Sequence, residues 1–175
     1  MKVEIRDLKN GPVTLDINCA PSALDLADEQ FSFDAPVTGH VVFQLVGQKK
    51  VLAKGHVATH AQTTCVRCLT GITIPIESEV AAVYENDPSL LKPEAKALGD
   101  ADHSLTYFDG ESISPESELR ESLMLELPNL PVCDPQCKGL CPVCGANLNA
   151  EKCQCATLQD DVSTWKTALK DLTLD

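Results

Sequence analysis

Six of the nine cysteines in this 175-residue chain fall between Cys133 and Cys155, separated by three, three, two, eight and one residues. A further pair, Cys65-Val-Arg-Cys68, lies far upstream. Thiolates this closely spaced converge on one ion, and structural zinc takes four of them in a tetrahedron. Cys141-Pro-Val-Cys144-Gly145 is the strongest single signal. Glycine after the second cysteine permits the left-handed turn that aims backbone N–H groups at the sulfurs. Cys153 and Cys155 are the nearest source of two more ligands. Cys65, Cys68, Cys133 and Cys137 then form a second complete quartet, and Cys19 alone is left over.

Other groupings stay open on spacing. Cys133, Cys137, Cys141 and Cys144 can share one ion, leaving Cys65, Cys68, Cys153 and Cys155 for another. Iron–sulfur clusters also accept four thiolates. A thiol–disulfide exchanger needs a lone reactive pair at a helix start, and neither pair here precedes one. A catalytic zinc keeps a position open to water, which two all-cysteine quartets do not. Structural metal, about two zinc ions, is therefore the expected chemistry. Four thiolates outweigh a divalent ion by two charges, so Arg67, Lys138 and Lys152, each beside a ligand, can serve as charge compensation. For Arg67 and Lys138 the competing role is contact with nucleic acid or a partner.

The formal charge of −12 is unevenly spread. Residues 1–84 hold 9 acidic and 7 basic groups, residues 85–127 hold 11 and 3, and residues 128–175 hold 6 and 4. Nucleic-acid binders usually carry an excess of Lys and Arg to displace counterions, and this chain has the opposite balance. The opening Met1-Lys-Val-Glu-Ile-Arg-Asp-Leu8 alternates in polarity, and no run reaches the apolar length of a membrane span. The expected location is cytoplasmic, where clustered cysteines point to metal rather than disulfides.

The elements that must hold these cysteines follow from periodicity. Val3 and Ile5 alternate with polar neighbours, as do Val13, Leu15, Ile17 and Cys19, which predicts two strands; Cys19 on the apolar side reads as a buried small hydrophobe. Residues 21–28 predict a short helix. Val37 to Tyr84 reads as an antiparallel meander with Cys65 and Cys68 at a tip, and Pro75 marks an edge or a bulge in its last strand. His40, His56 and His60 fall on strands and read as solvated side chains. Residues 85–113 form an acidic connection, with a short strand at Leu105–Phe108. Ser114 as N-cap and Pro115 at the first helical position start a helix whose stripe is Leu119, Leu123 and Leu127. Val162, Trp165, Leu169 and Leu172 make a last amphipathic helix.

The expected fold class is α+β, a mainly antiparallel sheet with two helices and a C-terminal cysteine-rich zinc module. Its parts are a β domain over 1–84, an acidic linker over 85–113, helix and proline stop over 114–131, the zinc module over 132–156, and a helix over 157–175. Phosphate loops, nucleophile elbows and His-Glu-x-x-His motifs are absent from the sequence, and no enzyme is expected.

Cys65-Val-Arg-Cys68, then Leu127-Pro-Asn-Leu-Pro131-Val-Cys133, then Cys137-Lys-Gly-Leu-Cys141-Pro-Val-Cys144-Gly-Ala-Asn-Leu-Asn149 resemble the YceD family. Some members keep the first pair and ligand-type residues near 133 and 137 but lose the Cys141–Cys155 set, which favours the first grouping. The resemblance implies a role in accumulation of large-subunit ribosomal RNA. The expectation is a non-enzymatic zinc-binding factor for large-subunit assembly, acting on a large-subunit ribosomal protein or pre-ribosomal particle. Its acidic surface suits a basic protein, with RNA contacted indirectly and no membrane or small-molecule substrate. The alternatives are a direct RNA-binding zinc module and a thiol redox or metal-donor protein.

Overall fold

The computed structural model describes residues 1–86 and 105–155. Two compact units emerge: one of Met1–Thr63 with Thr73–Asn129, the other of Thr64–Ile72 with the segment from Leu130 onward.

The first unit is built on a five-stranded sheet. Its strands are β2 (Val13–Cys19), β3 (Val37–Val46), β4 (Lys50–Thr64), β5 (Gly71–Glu85) and β6 (Leu105–Tyr107), neighbours in that order. β2 with β3 and β3 with β4 are antiparallel. β4 and β5 are adjacent and joined by six residues, too few for a parallel crossover, so they form a hairpin. A small second sheet pairs β1 (Val3–Glu4) with β7 (Ser112–Ile113).

Alternation along β3 and β4 puts Val37, Val41, Phe43, Val51 and Val57 fully inside. The Phe43 and Tyr84 rings approach to 6.4 Å between centroids. Helix α2 (Glu116–Leu125) adds Leu119 and Leu123, both fully buried, with Leu127 partly buried beyond its end. Burying each leucine contributes about 1.5–3 kcal/mol. The β3–β4 pair leaves no room for a side chain at Gly39 or Gly55: a Cβ there would clash with the carbonyl oxygen of His56 or His40, respectively.

Four details differ from the sequence expectations. Ile5 does not extend the first strand; it opens a single helical turn, α1 (Ile5–Leu8), which buries Leu8. Over 21–28 only Pro21–Leu24 is helical, a 3-10 turn that buries Leu24. The last pair of the sheet, β5 with β6, is parallel, so the sheet is mixed. Ser114 is not the cap of α2. Pro115 holds that position, its carbonyl accepts the Leu119 N–H at 3.0 Å, and its ring is fully buried. Core packing of Pro115 fixes where the helix begins, overriding the capping preference of Ser114.

Cys19 is half-buried against this core, and burial raises its thiol. Pro75 lies within β5, which runs through it unbroken. The segment expected as the last amphipathic helix, with Trp165, lies outside the described residues, as do 87–104. No described helix is long and apolar enough to cross a membrane.

Candidate metal centre

Both Cys-x2-Cys pairs adopt the same turn. In the first, the Leu69 N–H donates to the Cys65 carbonyl at 2.9 Å and Leu69 takes a left-handed φ of 57°. In the second, the Gly145 N–H donates to the Cys141 carbonyl at 2.9 Å with φ 74°. Glycine pays no steric penalty there, whereas a leucine does. The sequence marked the left-handed residue of this turn only at Gly145; Leu69 gave no signal.

The turns bring the sulfurs into two groups. Cys65, Cys68, Cys133 and Cys137 form one, and Cys141, Cys144, Cys153 and Cys155 the other, with all ligand atoms of a group within 4.8 Å of one another. Cys133 and Cys137 thus fall in a different group from Cys141 and Cys144, unlike in the alternative grouping. In the first group Cys65 Sγ is 3.9 Å from Cys137 Sγ and Cys68 Sγ is 3.6 Å from Cys133 Sγ. A tetrahedron of sulfurs about 2.3 Å from a central zinc has edges of about 3.8 Å, so the donor set fits one four-coordinate ion. A multi-iron cluster would hold its thiolates farther apart. No histidine or carboxylate joins either group among the described residues. His56 instead faces Glu77 across 4.0 Å, and His40 pairs with His56 in the sheet register.

Each quartet combines an acidic thiol with a resistant one. Burial opposes ionisation of Cys65, but the backbone N–H groups of Cys133, Cys68 and Arg67 outweigh it and bring the thiol down to about 6. Cys141 is held at about 6 by the N–H groups of Cys144 and Val143. Cys133 is pushed up to about 12 by the sulfurs of Cys137 and Cys68, and Cys155 to about 12 by Cys144. Thr70 lowers the Cys68 thiol, its Oγ1 lying 3.3 Å from that sulfur. Four like charges cannot share so small a volume alone, and a divalent cation removes the conflict.

The surrounding residues lock the first quartet. Arg67 Nη1 donates to the carbonyls of Pro135 at 3.1 Å and Cys137 at 3.2 Å, and the Arg67 carbonyl accepts the Leu140 N–H. Val66 N–H donates to the Pro131 carbonyl. Gly139, at φ 75°, lets the chain pass: a Cβ there would meet the Arg67 carbonyl at 3.0 Å. Asn149 Nδ2 donates to Cys137 Sγ at 3.2 Å, while Asn149 Oδ1 accepts the Lys138 N–H. Asn147 Oδ1 in turn accepts from the Asn149 backbone and side chain. Thr70, Gly139, Asn147 and Asn149 were not singled out as site residues from the sequence. The Asn-Leu-Asn string was visible, but its direction was not. Lys138 and Lys152 line a cavity of about 340 Å³ together with Cys141, Cys153 and Cys155.

Among the described residues, the apolar cluster of this unit is Cys65, Cys68 and Cys137, with Val132 and Leu140 against it. Small clusters of this kind are commonly held together by a bound metal.

The family described as large ribosomal RNA subunit accumulation protein YceD matches residues 53–173. A Mycobacterium tuberculosis protein is 30% identical over 101 residues, covering 58% of this chain and 46% of that protein. A Mycobacterium leprae protein is 28% identical over 155 residues, 87% of this chain and 59% of its own length. An Arabidopsis thaliana protein named as a chloroplastic large ribosomal RNA subunit accumulation protein is 41% identical over 49 residues, 28% of this chain and 15% of that protein. The chain spans about half the length of the mycobacterial relatives it matches. No solved structure matches it.

Proposed function

Because this chain belongs to the YceD family, we propose that it is a non-enzymatic zinc-binding factor for large ribosomal subunit assembly. In this reading Cys65, Cys68, Cys133 and Cys137 hold one zinc ion and Cys141, Cys144, Cys153 and Cys155 a second. The observation that carries it is the closure of both quartets by sulfur alone, which leaves no ligand position for water or substrate. The ions would supply rigidity, and the chain's own residues do the rest. The turn N–H groups at Cys65 and Cys141 stabilise a first thiolate, and Asn149 and Thr70 hold sulfurs in place.

The partner is a basic large-subunit ribosomal protein, through which the chain supports accumulation of large-subunit RNA. A net charge of −12 favours such a protein over bare phosphates. Arg67, a candidate for RNA contact, is engaged with two backbone carbonyls, which supports a positioning role. The test is capture of the tagged chain from lysate with and without nuclease. A basic ribosomal protein retained after nuclease is the expected result. Recovery of large-subunit RNA alone, with no protein partner, overturns the reading in favour of direct RNA binding.

A further inference from the structure

The sheet of the first unit ends unevenly. β5 runs from Gly71 to Glu85, but β6 pairs with it only at Val83, Tyr84 and Glu85. Among the described residues, the β5 edge before Val83 has no strand beside it. A groove of about 370 Å³ follows that edge. One wall consists of five consecutive β5 residues, Ser78–Ala82, the other comes from α2 and the residue after it, and Leu105 and Thr106 of β6 close one end. Successive strand residues face opposite sides of a sheet, so a cavity touching all five runs along the strand's edge.

The groove has a marked chemical character. Its charged lining is Glu79, Glu118, Glu121 and Glu126, with no lysine or arginine. Arg120, the one cation of α2, turns away and donates Nε to the Asp25 carbonyl at 2.9 Å. Leu125 stands at the wall with 84% of its surface exposed. An unpaired edge offers backbone donors and acceptors to an incoming extended segment, and the side walls select its residues.

We propose that this groove takes an extended Lys/Arg-rich segment of a basic protein, added as a strand along Ser78–Ala82. Its cationic side chains meet the four glutamates and an apolar residue covers Leu125. The occupant rests on the partner class in the function proposed above, and the groove assigns where that partner binds. Four carboxylates exclude the phosphates of RNA from the same place.

The test uses the full zinc-loaded chain and a fluorescent peptide of alternating lysine and valine, with a glutamate–valine peptide as control. Anisotropy should show binding of the lysine peptide alone, weakening as salt is raised. Hydrogen exchange should show protection gained at the groove-facing amides of Ser78–Ala82, those not bonded to β4. Glu121→Lys with Glu126→Lys, at two exposed positions, should weaken binding about tenfold while the melting temperature holds; Leu125→Ser should weaken it a few-fold. Unchanged affinity in the charge-reversed chain, or protection gained elsewhere, overturns the proposal. So do groove-facing Ser78–Ala82 amides, those not bonded to β4, already protected in the free chain, which would mean that the chain's own segment fills the groove. If the charge-reversed chain still captures a basic ribosomal protein from lysate, the groove assignment fails and the proposed function stands. If neither chain captures one, both fail.

Discussion

Asn149 donates Nδ2–H to Cys137 Sγ at 3.2 Å, so the loop enclosed by the second quartet reaches a sulfur of the first. Asn149 lies between Cys144 and Cys153 and is braced by Asn147. The loop that the second ion closes therefore presents a donor to the first ion's ligand. An N–H···S bond spreads thiolate charge and fixes the sulfur's direction, the usual work of residues behind a metal ligand.

Asn149→Ala should weaken zinc at the first quartet roughly 10–100-fold without removing a ligand. Asn149→Asp should weaken it more, because a carboxylate beside thiolates adds a like charge. Competition against a colorimetric chelator measures both. Equal affinities in all three chains would show that the contact is incidental.

Intact chain purified without chelators should carry two zinc ions by elemental analysis. Cys68→Ser and Cys144→Ser should each lose one, with different consequences. The first quartet joins segments across 64 intervening residues, so its ion removes much chain entropy from the unfolded state. Cys68→Ser should lower the melting temperature markedly. Cys144→Ser opens only a short loop and should leave the main transition nearly in place, while making the remaining ion easier to chelate through the loss of Asn149's support. Identical melting losses would mean that the two ions form one cooperative unit.

Zinc binding should tighten as pH rises, and the sign follows from the thiols. Metal takes thiolates, so protons still on the ligands must leave. Near pH 8, Cys65 and Cys141 at about 6 are already ionised, while Cys133 and Cys155 at about 12 are protonated. Each ion should therefore release at least one proton on binding, measurable by calorimetry in buffers of different ionisation enthalpy. As pH falls through about 6, the two acidic thiols also take up protons and retention should drop more steeply. A binding constant flat between pH 6 and 8 would contradict this arrangement.

Leu69→Gly should stabilise the zinc-loaded chain by about 0.5–1 kcal/mol. The left-handed turn costs a leucine about 1–2 kcal/mol, and glycine's extra freedom in the unfolded chain returns part of the gain. Leu69 is 64% exposed, so little packing is lost. Thermal unfolding at saturating zinc measures the shift; a clear loss of stability would indicate that the leucine side chain makes a contact worth more than the strain.

Much of this molecule was legible in residue order because the relevant physics is local. Alternation in Val37–Val46 and the Leu119, Leu123 stripe reports which face meets the core, since strand and helix periods are properties of the backbone. Cys-x2-Cys-Gly at Cys141–Gly145 encodes its own turn. Tertiary structure decided what depends on packing at a distance. Burial of Pro115 overrode Ser114 as the helix cap, and β6 paired parallel to β5, which no local pattern states. The turn at Leu69 closes although its sequence lacks the glycine, because its neighbours are tied to Pro131 and Leu140 by Val66 and Arg67. The partnership of Cys65 and Cys68 with Cys133 and Cys137 is of the same kind. Spacing limits which sulfurs near one another in sequence can meet, but only the folded path of the intervening residues sets two remote pairs 3.6–3.9 Å apart.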